Sequence, residues 1–261
     1  MLTAKQRRDA ATSLIEAERD HAPIDPISTT YPGADVEDAY RISILVAEMK
    51  VAAGRIIKGH KIGLTSKAMR SLTGATEPDY GTLFDDWFVA EGSAISMSRM
   101  NRPLVEVELA FVLREPLAGP SINTADVIRA TDFIVPAIEI VDSRFNVRGT
   151  LVDSIADAAS CGFVILGGNP RRLTDIDIRR MGASLSKNGE LEESGVARAV
   201  MGNPINAVAW LASKLHEFEV PLEAGHVVLS GSFIKAIPFK AGDSLVALFD
   251  ELGEVVFSVT D

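Results

Sequence analysis

The sequence predicts an α+β protein in which a helical N-terminal portion leads into a mainly β portion. Residues 3–20 and 36–53 carry apolar residues at helical spacing. From about residue 100, short β-type runs bounded by Gly, Pro and Asp follow one another. No regular strand–helix alternation is present, so a nucleotide-binding sheet is not expected. We divide this one compact unit at residue 100, into a helical portion (1–100) and a mainly β portion (101–261).

The two N-terminal helices are predicted from their stripes and their ends. In residues 3–20, Leu14 and Ile15 belong to an apolar stripe among charged residues. The helix over 36–53 has Asp35 in position to cap it and Gly54 in position to close it. Further helical stretches are predicted around residues 66–72, 124–131 and 204–218.

The predicted strands occupy six runs of apolar and β-branched residues. These are PLVEVELAFVL, PAIEIV, GFVILGG, GHVVLSGSF, SLVALFD and EVVFSV. The segment EPDYGTLFDDWF, residues 77–88, is expected to be rich in turns and then aromatic.

Composition narrows the class of partner. The formal net charge of −10 argues against a protein that binds nucleic acid or an anionic membrane surface. The single cysteine, Cys161, excludes an internal disulfide and favours a reducing, cytoplasmic setting. We expect neither a signal peptide nor a membrane span, because the first twenty residues are charged and no apolar run is long enough.

The motif GHKIGLTS, residues 59–66, places a lysine between two glycines. A strand is expected to end here, with Gly59 and Gly63 allowing a tight turn that directs Lys61 towards a ligand. The simpler interpretation is a solvated lysine at a strand end, since lysine is mostly exposed. If the strand persists, His60 points to the opposite side.

Three glutamates stand where strands are predicted. Glu106 and Glu108 are two positions apart and therefore share one face of a strand, and Glu139 sits in the middle of an apolar strand. A buried carboxylate needs a cation or a metal, and oxygen ligands suit Mg²⁺ or Mn²⁺. The alternatives are an exposed face for the first pair, and for Glu139 a salt bridge to Arg144 or Arg102.

Several of these segments together resemble one known family. GHKIGLTSKAM, EPDYG, VEVELAFVL, PAIEIVDSR and GNPINAVAWLA are similar to the 2-hydroxypenta-2,4-dienoate hydratase group, which includes 2-oxo-hept-3-ene-1,7-dioate hydratases, within the fumarylacetoacetate hydrolase superfamily. The resemblance covers nearly the whole chain. It implies a mixed β-sandwich roll of the fumarylacetoacetase C-terminal type with a helical N-terminal portion. It also implies a homo-oligomer, either a dimer or an assembly of dimers.

The resemblance also implies a site. Glu106, Glu108 and Glu139 are expected to bind Mg²⁺ or Mn²⁺, with Lys61 as a catalytic residue and Asp79 beside it. The substrate-binding candidates are His60, Thr65, Arg144, Ser160 and Ser232. For three of them an alternative stays open. Thr65 caps a helix, Arg144 anchors a loop instead of holding a distal carboxylate, and the segment 231–233 is a plain turn instead of offering main-chain N–H groups to an anion. The chain departs from the family at Ala158, where relatives tend to carry Asn.

The function implied is addition of water to a 2-hydroxydienoate or 2-oxo-enoate in the catabolism of aromatic compounds. A dioate is among the substrates that the resemblance implies. A 4-oxalocrotonate-type decarboxylase on the same metal site is the nearest alternative. Hydrolysis of an acylpyruvate would need a His–Glu pair, which the N-terminal portion lacks. A non-catalytic partner subunit is a further alternative, because hydratases of such pathways associate with a decarboxylase or an aldolase.

Overall fold

The computed structural model describes residues 1–261 as two β-sheets flanked by helices. The helices are α1 (Ala4–Asp20), α2 (Ile27–Thr30), α3 (Val36–Ala52), α4 (Lys67–Thr73), α5 (Thr124–Ala130), α6 (Leu151–Ala156) and α7 (Pro204–Glu217). The strands are β1 (Ile57–Gly63), β2 (Asp79–Phe84), β3 (Phe88–Val89), β4 (Ala94–Ser96), β5 (Leu104–Leu113), β6 (Thr131–Val141), β7 (Cys161–Leu166), β8 (Gly182–Lys187), β9 (Glu190–Val196), β10 (Val227–Leu229), β11 (Ile237–Pro238), β12 (Ser244–Phe249) and β13 (Gly253–Thr260).

The larger sheet holds eight strands and positions the site. Its order is β2-β1-β10-β5-β6-β7-β3, with β11 pairing with β5 outside this path. The pairs β1–β10 and β3–β7 are parallel, whereas the long central pair β5–β6 is antiparallel. The second sheet has five strands in the order β4-β13-β12-β8-β9. The α+β class and the roll of mixed sheets are therefore confirmed.

Strand β5 explains how one sheet separates an apolar core from a polar site. Successive side chains of a strand point to opposite faces. Val107 and Phe111 on one face are fully buried in the larger apolar core. Glu106 and Glu108 occupy the other face, where their neighbour Ala110 belongs to a second, smaller apolar cluster.

The N-terminal helices form as the sequence predicts. Thr3 caps α1 and Asp35 caps α3, and each makes a reciprocal capping box with the third residue of its helix. Gly54 follows α3 with a φ of 95°, which suits a glycine after a helix end. Ser66 caps α4 by accepting a hydrogen bond from the Met69 amide. No helix of the chain has both the length and the apolar character that crossing a bilayer requires.

Three expectations about the chain were wrong. Strand β1 does not end at His60 and Lys61 but continues to Gly63, so no tight turn surrounds the lysine. The segment expected to be rich in turns contains β2, in which every residue is buried. The first 100 residues are not only helical, because β1 and β2 belong to the same sheet as β5 and β6. Position 59 requires a glycine because of close packing, since a Cβ there would collide with the main chain of Val227.

Candidate metal centre and active site

Three glutamates converge on one face of the larger sheet. In the β5–β6 ladder Glu106 stands directly opposite Glu139, and Glu108 follows Glu106 on the same face. One carboxylate oxygen from each of the three lies within 4.8 Å of the others. Glu108 and Glu139 are fully buried, while Glu106 is partly exposed. The predicted cluster therefore exists, and the alternative of a wholly exposed acidic face is wrong.

Lys61 completes this cluster. Its Nζ lies 3.0 Å from Oε1 of Glu139, and the two side chains are 4% and 0% exposed. The partner of Glu139 is thus Lys61, and not Arg144 or Arg102 as the alternatives proposed. A lysine buried among carboxylates contradicts the interpretation of a solvated side chain.

The carboxylates strongly affect one another's protonation. Burial, followed by repulsion from Glu139, raises the pKa of Glu106 to about 7 and that of Glu108 well above its usual range. For Lys61, burial acts to lower the pKa, but attraction to Glu139, Glu106 and Asp79 outweighs it and the pKa is raised. Lys61 is consequently an ammonium at neutral pH in this structure. A divalent cation bound at the glutamates would act in the opposite direction, because a neighbouring positive charge lowers the pKa of a lysine.

Asp79 lies beside Lys61 because Gly63 leaves it room. Gly63 of β1 pairs with Asp79 of β2, and a Cβ at Gly63 would collide with the Asp79 carboxylate while lying 3.6 Å from the lysine Nζ. Ser154 of α6 is 3.3 Å from Asp79 Oδ2 and donates to it, whereas Oδ1 has no partner. Burial raises the pKa of Asp79, although the nearby Lys61 pulls it down. Asp79 can therefore hold a proton next to Lys61.

Glu108 is oriented by the loop that follows β10. The amide of Gly231 donates to Glu108 Oε2 over 2.7 Å. Gly231 has a φ of 110°, and a Cβ there would collide with the Thr65 side chain. Thr65 is buried, and its hydroxyl makes no hydrogen bond within the chain. Thr65 thus lies at the site, and the neighbouring Ser66, not Thr65, caps α4.

His60 does not join the cluster. It lies on the opposite face of β1, where its ring centroid is 6.1 Å from that of Tyr80 and 6.3 Å from that of His226. Burial, with a smaller contribution from His226, lowers the pKa of His60 to about 3, so the ring is neutral. Because His60 faces away from the carboxylate cluster, its assignment to substrate binding is wrong. The remaining histidines, His21 and His216, belong to the ends of α1 and α7.

Arg144 anchors a loop and is not free to bind a substrate carboxylate. Its guanidinium contacts the Asp157 carboxylate and donates to the carbonyl oxygens of Asp142, Cys161 and Asp157. Four acceptors occupy the fork, so the prediction of a distal-carboxylate site at Arg144 is wrong. Arg102 likewise contacts the Phe145 carbonyl over 3.2 Å.

The two predicted serines differ in their surroundings. The Ser232 hydroxyl both accepts from the Val107 amide and donates to the Val107 carbonyl, over 3.2 and 3.3 Å. It fixes the loop to β5, and its assignment to substrate binding is wrong. Ser160 is partly exposed, and only its main chain is engaged, with Asp142 and Asp157. Its hydroxyl stays available.

Sequence reasoning missed one group of the site. The Ser154 hydroxyl donates a hydrogen bond to the Asp79 carboxylate. Ser154 lies in α6, and this helix of six residues is too short to show the apolar periodicity that predicts a helix. The main chain at Gly231 was recognised as a candidate donor to an anion from its place just after a buried strand, and its amide donates to the Glu108 carboxylate.

The residues present fit a hard divalent cation. Glu108 Oε1 and both oxygens of Glu139 are buried without a hydrogen-bond donor, although Lys61 makes an ion-pair contact with one of them. Buried, unpartnered carboxylate oxygens are costly unless a cation compensates them. All three donors are carboxylates, the ligand type of Mg²⁺ and Mn²⁺, and no cysteine or histidine competes.

Two curated relatives cover almost the full chain. A 2-oxo-hept-4-ene-1,7-dioate hydratase of Escherichia coli is 43% identical over 252 residues, which are 94% of this chain and 94% of the relative. A 2-keto-4-pentenoate hydratase of Paraburkholderia xenovorans is 37% identical over 257 residues, covering 97% and 95% of the two chains.

A solved structure has nearly the same fold. The 4-oxalocrotonate decarboxylase of Pseudomonas putida G7, complexed with magnesium and adipate, superposes with a TM-score of 0.96 at 33% identity and covers 99% of both chains. The model of the family described as fumarylacetoacetate (FAA) hydrolase C-terminal matches residues 54–260. The matched range contains every residue of the carboxylate cluster and Lys61. The chain belongs to the fumarylacetoacetate hydrolase C-terminal family.

Proposed function

We propose that this protein is a divalent-metal-dependent hydratase that adds water to a 2-hydroxydienoate or 2-oxo-enoate and forms a 4-hydroxy-2-oxo acid. The observation that carries the proposal is the contact of Lys61 with Glu139 inside a cluster of three carboxylates. The curated relatives with 43% and 37% identity are named hydratases of such unsaturated oxo acids.

Glu106, Glu108 and Glu139 would hold the cation, Mg²⁺ or Mn²⁺. The structural relative complexed with magnesium supports a divalent ion without deciding between the two metals. When bound, the ion supplies a Lewis acid next to the oxygens of a 2-oxo acid. The Gly231 amide keeps Glu108 oriented, and the partly exposed Glu106 faces the side from which a ligand can enter.

Lys61 and Asp79 supply the proton-transfer groups. A 2-hydroxydienoate first becomes the 2-oxo-3-enoate, by losing its enol proton and gaining a proton at C5. Water then adds to the C3–C4 double bond: its hydroxyl group joins C4, and a proton joins C3. The Lys61 side chain is buried against Glu139, so its Nζ is placed to act as the general acid or base that exchanges a proton with the substrate. Asp79 Oδ1 lies unpartnered beside it and is suited to accept the proton lost by water.

Two further side chains, on segments that border this region, have hydroxyl groups without a hydrogen-bond partner in the chain. Thr65 packs against Gly231, and Ser160 is partly exposed at the end of the turn after α6. We assign both to substrate binding. Neither is a cation, so recognition of a second carboxylate in a dioate substrate would depend on other groups.

Decarboxylation of a 2-oxo-3-enedioate is the second candidate. It is favoured by the TM-score of 0.96 to a 4-oxalocrotonate decarboxylase. A curated decarboxylase is, however, 35% identical, below the 43% of the dioate hydratase. Hydrolysis of an acylpyruvate is not supported, because no histidine of the chain lies among the carboxylates.

The test uses two freshly prepared substrates with Mg²⁺, 2-hydroxypenta-2,4-dienoate and 2-oxo-3-hexenedioate. Loss of the conjugated ultraviolet band is followed, and the products are identified by mass. The proposal predicts products heavier by one water, with activity lost in EDTA and restored by Mg²⁺. Release of carbon dioxide from the diacid would instead establish the decarboxylase.

We also propose that the protein acts as a homo-oligomer that can associate with a decarboxylase or aldolase of its pathway. Light scattering of the purified chain measures the first property. Co-purification with the neighbouring enzymes of the pathway measures the second.

A further inference from the structure

A left-handed turn stands directly behind the candidate site. Ala158, Ala159 and Ser160 have φ values of 50°, 51° and 59°. Residues with a Cβ rarely adopt this conformation, and three in succession persist only where the surroundings hold them. Ala158 and Ala159 are also buried, so this turn is part of the interior and not a surface loop.

Arg144 and Asp157 hold the turn from both ends. The Arg144 guanidinium contacts the Asp157 carboxylate, donates to the Asp157 carbonyl over 2.7 Å, and also donates to the carbonyl of Cys161, just after the turn. The main-chain amide of Arg144 donates to Asp157 Oδ2 over 3.0 Å. The ion pair is nearly inaccessible, with side chains 10% and 1% exposed. A planar fork that engages several acceptors fixes orientation as well as charge.

The left-handed turn packs against β2, the strand that pairs with the Lys61 strand β1. A Cβ at Gly81 of β2 would collide with the carbonyl of Ala158. Gly81 is the residue paired with Lys61 across β1 and β2. Helix α6, which leads into the turn, carries Ser154, the donor to Asp79. The segment from α6 to Ser160 therefore contacts the strands of both proton-transfer residues.

We infer that Arg144 and Asp157 are positioning residues, which hold the strained turn against Gly81 and thereby fix Lys61 and Asp79 relative to the carboxylate cluster. The inference rests on the proposed function for its kinetic consequence. Neither residue needs to contact the substrate. A small displacement of Lys61 or Asp79 is expected to slow the chemical step, since proton transfer depends on close geometry.

The test compares Arg144→Gln and Arg144→Lys with Arg7→Gln. The last is a matched control, because Arg7 also pairs with a buried carboxylate, that of Asp38, on the distant contact between α1 and α3. We expect Arg144→Gln to lower kcat about tenfold or more with KM and Mg²⁺ affinity changed less than about twofold. Arg144→Lys keeps the charge but not the fork and should remain impaired. Arg7→Gln should lower the melting temperature and leave kcat unchanged.

A second variant reaches the same contact without touching the ion pair. Gly81→Ala places a Cβ against the Ala158 carbonyl and should also lower kcat, even if Arg144→Gln fails to fold. Wild-type kcat in Gly81→Ala, or full activity in Arg144→Lys, would overturn the inference.

Amide hydrogen exchange separates this inference from the proposed function. Measured well below the melting temperature, exchange in Arg144→Gln should accelerate at residues 157–160 and 79–84 and stay unchanged in α7. This pattern is expected even if the protein hydrates neither substrate. Exchange that stays at the wild-type rate in both segments would overturn the positioning role independently of any assay.

Discussion

The side chains of Lys61 and Glu139 are in contact, although two other strands lie between the strands that carry them. β1 and β6 are separated by β10 and β5, yet Nζ lies 3.0 Å from Oε1. In a flat sheet three strand spacings amount to about 14 Å. The two side chains extend towards each other over β10 and β5 and, together with the curl of the sheet, close this distance. This contact combines the GHKIGLTS motif and the glutamates of β5 and β6 in one site.

Replacing Lys61 tests its role in proton transfer. We expect Lys61→Met to lower kcat by about 10²–10⁴-fold, because a positioned general acid or base is lost. Mg²⁺ should bind at least as tightly as in the wild type, since a competing positive charge next to Glu139 is removed. Steady-state kinetics and calorimetric titration measure the two effects. A variant with wild-type turnover would remove Lys61 from the mechanism.

Replacing Glu106 tests the metal site. Loss of a residue that only hydrogen-bonds to a metal ligand typically weakens metal binding by about 10–100-fold. Loss of a ligand itself should cost more, so we expect Glu106→Gln to weaken Mg²⁺ binding by about 100-fold or more. The metal-free variant should be at least as stable as the wild type at pH 8, because the pKa of Glu106 is raised to about 7 by burial and by Glu139.

The matched control is Glu190→Gln, which makes the same chemical change on an exposed residue at the start of β9. It should bind Mg²⁺ as the wild type does. Equal Mg²⁺ affinity in the two variants would show that Glu106 is not a ligand.

A single methyl group tests the position of Asp79. Gly63→Ala places a Cβ against the Asp79 carboxylate, which must then leave its position beside the Lys61 side chain or be displaced within it. We expect kcat to fall about tenfold or more, with Mg²⁺ affinity nearly unchanged, because none of the three glutamates is displaced. Gly33→Ala, where a Cβ meets no atom within 4 Å, serves as the control. Full activity of Gly63→Ala would mean that Asp79 is dispensable.

The Arg7–Asp38 pair predicts how acid affects stability. Burial acts to raise the pKa of Asp38, but hydrogen bonds from Arg7 and from the Leu2 amide outweigh it, and the pKa lies below its usual value. The pair therefore stabilises the fold fully above the unfolded-state pKa of about 3.9, and this stabilisation is lost as the pH falls through the lower folded-state pKa.

Asp38→Asn should reduce the free energy of unfolding at pH 7 by about 2 kcal/mol, because it removes the charged acceptor of hydrogen bonds from the partly exposed Arg7 and from the Leu2 amide. Urea denaturation from pH 7 down to pH 3 measures the difference. The two curves should converge towards the acid end, and a constant difference would contradict this assignment.

The elements with a clear period were predictable from the sequence. Helices α1 and α3 have amphipathic stripes and capping residues, and β5 and β6 have the apolar pattern of buried strands. Alternation along β5 also placed Glu106 and Glu108 on one face. The hairpin of β8 and β9 was missed because polar residues and Gly predominate there, so neither strand has an apolar run.

The wrong assignments concern side chains whose partners are distant in the sequence. Arg144 looked free because Asp157 and Cys161 approach it only after β6, α6 and β7 have packed. Gly63 was read as a turn residue, although it is needed for the close approach of Asp79. A local sequence pattern does not show which distant side chain packs into the space that a glycine leaves.

The central claim, that the glutamates form one metal centre beside Lys61, is tested most directly by crystals soaked in Mn²⁺ and measured at an X-ray energy where manganese scatters anomalously. We predict one anomalous peak between the carboxylates of Glu106, Glu108 and Glu139, absent from Glu106→Gln crystals treated identically. A peak elsewhere, or none at these glutamates when the wild-type enzyme is active with Mn²⁺, would contradict the account.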